Sequence, residues 1–460
     1  MTETVENPTE TAAPLLDQPY VIPVEAYYSR EYAQAEKERL WSKVWLNVAR
    51  VSELPKFGDF LTYAIADDEF IVIRTGEDTF KAYSNVCSHR GRPLIDTEPG
   101  EHDARGRRRQ FVCGFHGWRY DTDGACTHVT EAEDWGPGGP DLDSYRLPQV
   151  QVDTWGGWIW LTMNPNAEPL REYLEPMASL LEPFQLENMR CRWRRWLEFD
   201  CNWKVALEAF METYHVPVTH PEFRVFGSFL GWSRAMGTHS HIGYDAPKGM
   251  EENQAKVRIA QGTDDPRIST AKMQNFTWEA VNTNTTQTLV DAANRLVDEL
   301  PEGTPPDVVL KHWLSSARRD DEARGVIWPS PTPEQTAASG TAWQVFPNFQ
   351  IGHGLNNALC YSARPLGDDP NKCIFEAAVY EIFPPGEDPQ APWIHTPVDD
   401  EYWETHIVLP QDFSNMAAIQ KGMKRHGFQG NKPNPYRERG IVNFHRNLAR
   451  YVGTGAPKPL

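Results

Sequence analysis

Hydrophobic and polar positions along this chain change their period from one region to the next. After Pro23, the run VEAYYSREYAQAEKERLWSKVW reads as a helix, with Ser29 as a cap and Tyr32, Ala35, Leu40 and Val44 turned inward. From about Val51 the texture becomes short alternating runs, FLTYAI, FIVIRT and FKAYSNV, separated by Asp67-Asp68 and Gly76-Glu77-Asp78. Alternation at period two between tight turns predicts strands, and it continues through FVCGFHGWRYDTDG and WGGWIWLTM. Helical character returns in EPLREYLEPMASLLEPF and in TQTLVDAANRLVDEL, where Leu289, Ala293, Leu296 and Leu300 recur on one face. Strands are expected again in AWQVFPNFQIGHG, NALCYSARPL and KCIFEAAVYEIFPP. EYWETHIVLPQDFSNMAAIQKGMKRHGF reads as one long helix with a local break at Pro410. The expected class is α+β. Residues 1–44 form a leader, flexible to about residue 17, and a helix packing on the larger domain; 45–160 form a small all-β domain; and 161–460 form the larger domain, with a polar insertion at about 247–333.

Composition narrows the possibilities. With 460 residues, 40% of them hydrophobic, the chain can bury the cores of two domains. A net charge of -19 argues against a general nucleic-acid binder, which needs a basic face. No run approaches the length of a membrane span. The start, MTETVENPTETAAP, is acidic and polar, unlike a signal peptide, so the expected location is the cytoplasm. Seven cysteines are too few and too scattered for a secreted disulfide framework; reduced, buried thiols are expected, with a few free to bind metal.

Two constellations carry chemistry. In the β domain, Cys87-Ser88-His89 is followed, after residues 90–112, by Cys113-Gly114-Phe115-His116. Two Cys/His pairs on tight loops can hold a binuclear centre, thiolates on one iron and imidazoles on the other. Tetrahedral zinc is the alternative, although zinc sites more often pair two cysteines a few residues apart. In NWKVALEAFMETYHVPVTHP, Glu208 and Glu212 precede His215 and His220. Five residues on a regular helix turn by about 500°, which would leave the two rings about 140° apart. They converge only if the helix breaks between them, and Pro217 sits there. The alternative is a helix end bearing two surface histidines.

Cys87-Ser88-His89-Arg90-Gly91 with Cys113-Gly114-Phe115-His116-Gly117-Trp118 resembles the Rieske [2Fe-2S] signature. Asn202-Trp203-Lys204, followed by Glu208, Tyr214-His215 and His220, resembles the mononuclear-iron segment of Rieske non-haem iron oxygenases, in the large (alpha) subunit of the aromatic ring-hydroxylating dioxygenase type. The resemblance implies a [2Fe-2S] Rieske cluster on Cys87, His89, Cys113 and His116, and mononuclear Fe(II) on His215, His220 and a distant carboxylate. The matching position for that carboxylate is Asp412, with Asp399, Asp400, Glu401 and Glu404 as competitors. It also implies a role for Glu212 in bridging a Rieske histidine and an iron histidine across a subunit boundary, and it places Asn202 in the catalytic set. The implied fold is a Rieske β domain beside a catalytic domain with a curved antiparallel sheet covered by helices, of the helix-grip type.

The implied function is a terminal oxygenase that uses O2 and electrons from an NAD(P)H-dependent reductase, directly or through a ferredoxin. It would hydroxylate an apolar aromatic or polycyclic substrate, by ring dihydroxylation in the first instance. Monohydroxylation or oxidative demethylation at the same metal site is the alternative, and a Rieske electron-transfer protein is the alternative from another class. Head-to-tail homotrimers, with or without a separate beta subunit, are the implied assembly. Three departures stand out: Glu212 where Asp is common, Ala209 where Asn is common, and the long separation of the two cluster pairs. That separation falls in EPGEHDARGRRR, whose Arg105, Arg107, Arg108 and Arg109 would offer a ferredoxin a basic patch or form a solvated loop. Pocket walls are expected from Ala206, Phe210, Met211, Val345, Phe349 and Ile351, and the polar insertion is expected as a lid or an assembly contact. His239 and His241 read as exposed edge residues or channel lining, and Cys126 and His128 as part of a hairpin.

Overall fold

The computed structural model describes residues 18–226, 230–244, 265–389 and 391–460. The leader to residue 17 and positions 247–264 of the polar insertion lie outside the described residues. The chain divides into two units, Lys37–Tyr173 on the one hand and Met1–Glu36 with Leu174–Leu460 on the other.

The first unit is all β, as its alternating runs require. A seven-stranded sheet has the order Leu46–Arg50, Trp158–Thr162, Gln149–Trp155, Phe80–Ser84, Asp68–Arg74, Asp59–Ile65 and Arg105–Arg107. Gly156-Gly157, both with positive φ, close the Gln149–Trp155/Trp158–Thr162 hairpin, a turn that matches the twist of the paired strands. A three-stranded sheet, Gln110–Val112, Arg119–Asp121 and Cys126–His128, adds to the first. Phe60, Ile71, Ile73, Tyr83, Phe111 and Tyr120 form a buried core into which Cys87 and Cys113 also pack. Cys126 is buried beside its own turn, as the hairpin reading expects.

The second unit is built on an eight-stranded sheet in the order Gly231–Met236, His239–Tyr244, Ala342–Val345, Phe349–His353, Asn357–Pro365, Cys373–Glu381, Arg190–Phe199 and Trp393–His395. Every pairing is antiparallel except the last, so the sheet is mixed rather than wholly antiparallel. The cause is the proline-bearing connection after Glu381, which carries the chain past Arg190–Phe199 and returns it on the far side in the same direction. Helix Arg439–Val452 lies on one end of the sheet, where Gly440 N donates to Ser233 Oγ and Asn443 Nδ2 to the His239 carbonyl. His239 and His241 are buried at this end, and Phe346 N donates to His239 Nδ1, so the exposed-edge reading of this pair is corrected. Inward packing of the sheet face on its covering helix outweighs their polarity.

The described part of the insertion is less polar in its packing than in its composition. Helices Pro266–Phe276, Gln287–Asn294 and Pro306–Ala323 enclose a core of Leu289, Ala293, Leu296, Val309 and Trp313. Near the C-terminus the single expected helix is two, Tyr402–Thr405 and Val408–Met423. Pro410 falls in the first turn of the second, where no intrahelical partner awaits its missing N–H, and so it breaks nothing.

The N-terminal helices Glu25–Tyr28 and Arg30–Glu36 are tied into this unit by buried polar contacts. Ser29 caps the second, accepting from Tyr32 N. Glu36 Oε1 meets Lys204 Nζ at 2.6 Å, with side chains 2% and 0% exposed. Tyr27, Glu208 and His445 form a second knot: the Tyr27 hydroxyl lies 3.1 Å from Glu208 Oε2, and His445 Nε2 2.5 Å from Glu208 Oε1. Strand Tyr20–Val21 pairs with Lys458–Pro459.

Candidate metal centres

In the β unit, two loops of the same construction present the Cys/His pairs. Gly91 N donates to the Cys87 carbonyl and Cys87 N to the Arg92 carbonyl; Gly117 N and Cys113 N repeat this with the Cys113 and Trp118 carbonyls. Gly91 and Gly117 have φ of +75° and +74°, a left-handed conformation that lets each loop reverse after its histidine. The result brings His89 Nδ1 within 3.1 Å of His116 Nδ1, while Cys87 and Cys113 lie buried behind them. Burial and the neighbouring imidazole of His116 hold His89 toward its neutral form, the form that binds metal. The Cys87 thiol is pushed up by burial, so it becomes a thiolate most readily when a metal takes the proton's place. Tyr120 Oη lies 3.2 Å from Cys87 Sγ and accepts from Ser88 N, and Trp118 stacks on His89 with 6° between planes. Two facing imidazoles and two buried, unpaired thiols on twin loops fit a Rieske cluster.

In the catalytic unit, helix Trp203–Glu208 stops well before the histidines. His215 and His220 flank a separate four-residue turn, Val216–Thr219, with Pro217 inside it. The break that the five-residue spacing demanded is therefore a restart, and the ring centroids converge to 5.3 Å. Asp412, from the second turn of Val408–Met423, completes the group: its Oδ1 lies 3.4 Å from His215 Nε2 and 3.1 Å from His220 Nε2. One donor atom from each residue falls within 4.8 Å of the others, so the three could hold a metal ion together. Asp399, Asp400, Glu401 and Glu404 are not in it.

Second-tier contacts aim the rings. Glu212 Oε1 lies 2.5 Å from His215 Nδ1, and Gln411 Oε1 accepts at 2.7 Å from His220 Nδ1, so both Nε2 atoms are left to face Asp412. Burial works against charge on His215, yet the carboxylates of Asp412 and Glu212 push it up to about 10. Burial likewise opposes charge on Asp412, but His215 and His220 hold it below the usual carboxylate range. An imidazole pulled so strongly toward a cation marks a place where a divalent metal fits. Two nitrogens and one oxygen on one face suit mononuclear non-haem Fe(II) with positions left open.

A cavity of about 370 Å³ opens beside the triad. Phe210, Phe223, Trp313, Trp328 and Tyr361 contribute to its wall, and its described lining contains no lysine or arginine. On strand Phe349–His353 the wall is made by Gln350, Gly352 and, where the strand ends, His353, while the expected Phe349 and Ile351 are absent from it. Alternation along the strand puts only every second residue on the cavity side. Ala206, Met211 and Val345 are also absent from the lining, whereas Phe210 is present. A second cavity, about 910 Å³, reaches the triad from the other side and is lined by Glu208, Glu212 and Glu438. Burial, together with the charges of Glu212 and Glu208, pushes Glu438 up to about 7.

The chain matches a family model for the ring hydroxylating alpha subunit (catalytic domain) over residues 186–454, and a Rieske [2Fe-2S] domain over residues 44–146. The chain belongs to the ring-hydroxylating alpha-subunit family. It carries a Rieske [2Fe-2S] domain and a His215/His220/Asp412 candidate site for mononuclear iron. It is 30% identical over 219 residues to the glycine betaine monooxygenase oxygenase subunit of Pseudomonas aeruginosa, covering 47% of this chain and 48% of that one. It is 32% identical over 194 residues to the 2-aminobenzenesulfonate 2,3-dioxygenase subunit alpha of an Alcaligenes species, covering 41% and 47%. These alignments span about half the length of the curated relatives. A solved quaternary ammonium Rieske monooxygenase in complex with L-carnitine has the same fold: TM-score 0.62, 17% identity, 96% of this chain and all of that one.

Not every residue singled out in the sequence reaches the metal. Asn202 is the N-cap of Trp203–Glu208, accepting from Lys204 N and donating to the Pro370 carbonyl, and it lines neither cavity. Arg105 pairs with Glu53 and Asp103, and Arg107 with Asp59, which commits half of the supposed basic patch to internal ion pairs. Gln411, His445 and Glu438 were missed. Gln411 adjoins Asp412 in sequence, which was its one available signal; the other two depend on contacts across the unit. No helix among the described residues is long and apolar enough to cross a membrane.

Proposed function

We propose that this chain is the terminal oxygenase component of a Rieske system and hydroxylates an uncharged, ring-bearing apolar substrate, with ring dihydroxylation as the reaction. The observation that carries this reading is the cavity beside the triad, walled by aromatic rings and without a described basic side chain to pair with a substrate carboxylate or sulfonate. The proposed ligands are Cys87, His89, Cys113 and His116 for the cluster and His215, His220 and Asp412 for the iron. When bound, the cluster supplies single electrons and the iron supplies the oxygen chemistry. Glu212 orients His215 through Nδ1 and Gln411 orients His220, so the two rings keep one approach to the metal position. Glu212 also accepts from the backbone N–H groups of Tyr214 and His215, which fixes its carboxylate in the wall between the two cavities. The proposed partners are an NAD(P)H-dependent reductase, with or without a ferredoxin, and further copies of this chain in a homotrimer.

Monooxygenation is the second reading. It is favoured by Glu212 standing where Asp is common and by similarity to a glycine betaine monooxygenase oxygenase subunit. A protein that only transfers electrons would leave the triad and its cavity without a use. Single turnover of the reduced, iron-loaded protein with 18O2 separates the two. The panel should contain neutral aromatic compounds beside glycine betaine and L-carnitine. Two labelled atoms in one aromatic product support the proposal; one labelled atom or a lost methyl group makes the protein a monooxygenase or demethylase; turnover of the quaternary ammonium acids alone would sink the uncharged-ring reading.

A further inference from the structure

Tyr361 carries a hydroxyl in the wall of the triad cavity that the protein itself does not use. It stands on strand Asn357–Pro365, where Leu359 and Tyr361 line the cavity and the alternate Cys360 and Ser362 do not. Its ring packs on Phe210, with centroids 4.0 Å apart and 24° between planes, and on Phe375 at 5.7 Å. Phe210 and Phe375 also meet each other at 5.5 Å, so rings from separate stretches of chain fix the axis on which the phenol oxygen lies. Turning the ring about that axis does not move the oxygen. Tyr361 Oη has no hydrogen-bond partner among the described residues, yet it is not one of the unpaired atoms sealed from water. The residue keeps part of its surface open, and the cavity is the space it lines. Other polar groups of the same wall have their donors engaged: Thr277 Oγ1 donates to the Met273 carbonyl, Thr341 Oγ1 to the Ile242 carbonyl and Gln350 Nε2 to the Leu207 carbonyl. Burial and the negative charge of Asp412 push the Tyr361 phenol well above its ordinary range, so it keeps its proton as a donor. A ligand that displaces water from such a hydroxyl keeps its affinity only by returning a hydrogen bond.

We propose that Tyr361 is a specificity-determining residue that contacts the substrate, its hydroxyl donating a hydrogen bond to an acceptor oxygen of the compound oxidised at the neighbouring triad. The inference rests on the triad cavity being the substrate site. It does not depend on the substrate's charge, since a carboxylate oxygen accepts as readily as an ether, carbonyl or nitro oxygen. For a ring compound, it adds one acceptor to the description of the substrate. A compound with that atom is held in one orientation, whereas a plain hydrocarbon of the same shape leaves the hydroxyl unpaired and is free to turn.

The test is equilibrium dialysis of the full-length, iron-loaded protein under anaerobic conditions with 2-methoxynaphthalene and 2-ethylnaphthalene, which match in shape and differ in one acceptor oxygen. Tyr361→Phe removes the hydroxyl and keeps the ring stack. The ratio of the two affinities should shift about fivefold against the methoxy compound in this variant, the worth of one hydrogen bond, whatever hydrophobic difference the pair starts from. Its Tm should not fall, because the hydroxyl has no partner in the protein to lose. An unchanged ratio would overturn the proposal, and so would a lowered Tm with the ratio unmoved, the mark of a hydroxyl that serves the fold alone. Glycine betaine, dialysed in parallel, separates the proposal from the uncharged-ring reading. Betaine bound with neither naphthalene overturns that reading; Tyr361 then keeps its role if Tyr361→Phe weakens betaine binding about fivefold, and loses it if the affinity is unchanged. Failure of all three to bind would overturn the triad cavity as the substrate site, and the proposal with it.

Discussion

Glu36 and Lys204 allow a prediction whose sign reverses with the partner removed. The two side chains meet at 2.6 Å with almost no exposure, and Trp203 Nε1 gives Glu36 a weaker second donor at 3.3 Å. Burial alone pushes Glu36 up and Lys204 down, and each is held charged by the other. Lys204→Met strands a buried carboxylate, which escapes by taking up a proton; at pH 7 that costs about 3.7 kcal/mol from an ordinary pKa of about 4.3. Glu36→Gln strands a buried ammonium beside the Tyr32 and Trp203 rings, and discharging it at pH 7 costs about 4.6 kcal/mol. Both values fall in the range of about 3–5 kcal/mol for breaking a buried pair.

The pH dependences are opposite. In Lys204→Met the native state holds a proton that the unfolded state releases, so stability falls as pH rises, by about 1.4 kcal/mol per pH unit. In Glu36→Gln the unfolded state holds the extra proton, so stability rises with pH at the same rate. The double variant removes both charges and should sit well above the sum of the two losses. Urea unfolding followed by tryptophan fluorescence at about pH 6 and about pH 8.5 measures all three. Slopes of the same sign, or a double variant whose loss equals the sum, would refute the buried ion pair as described.

Other expectations follow from the two centres. Asp412→Asn should abolish substrate oxidation and release the mononuclear iron while the visible spectrum of the cluster persists, since the two ligand sets come from different units; loss of both signals would count against separate sites. Tyr120→Phe removes the hydroxyl beside Cys87 Sγ, and if about 1 kcal/mol of that contact favours the reduced cluster, its potential falls by about 40 mV; redox titration should show the drop and no change in iron content. Glu438 carries a pKa of about 7, above its unfolded value, so its stabilising contribution is whole below about pH 4.5 and lost as pH rises through 7. Glu438→Gln should therefore gain about 2 kcal/mol over the unmodified protein at pH 8, after allowing for solvent at this half-buried site, and nothing at pH 4.5, as read by thermal unfolding.

The candidate metal-binding residues were legible because chain-local spacing carries most of them. Cys87-Ser88-His89 and Cys113-Gly114-Phe115-His116 each sit on one loop, and His215 and His220 share one turn. Asp412 lies almost two hundred positions further on and was reached through the family resemblance rather than through spacing. The β unit could be read from period two, but the cavity wall could not, because a one-residue error in facing exchanges Ile351 for Gln350. His445 gave no local sign of its task, since its partners Tyr27 and Glu208 are separated from it by most of the chain.

The connectivity of the two units bears on the order in which they can form during synthesis. Lys37–Tyr173 is one uninterrupted stretch, so every partner its sheets need has emerged once residue 173 has left the ribosome. The N-terminal segment waits much longer: Glu36 for Lys204, Tyr27 for His445, and Tyr20–Val21 for Lys458–Pro459. The loops bearing Cys87, His89, Cys113 and His116 can therefore be complete while the larger unit still lacks most of its sheet, and the triad cannot assemble until Asp412 has been made.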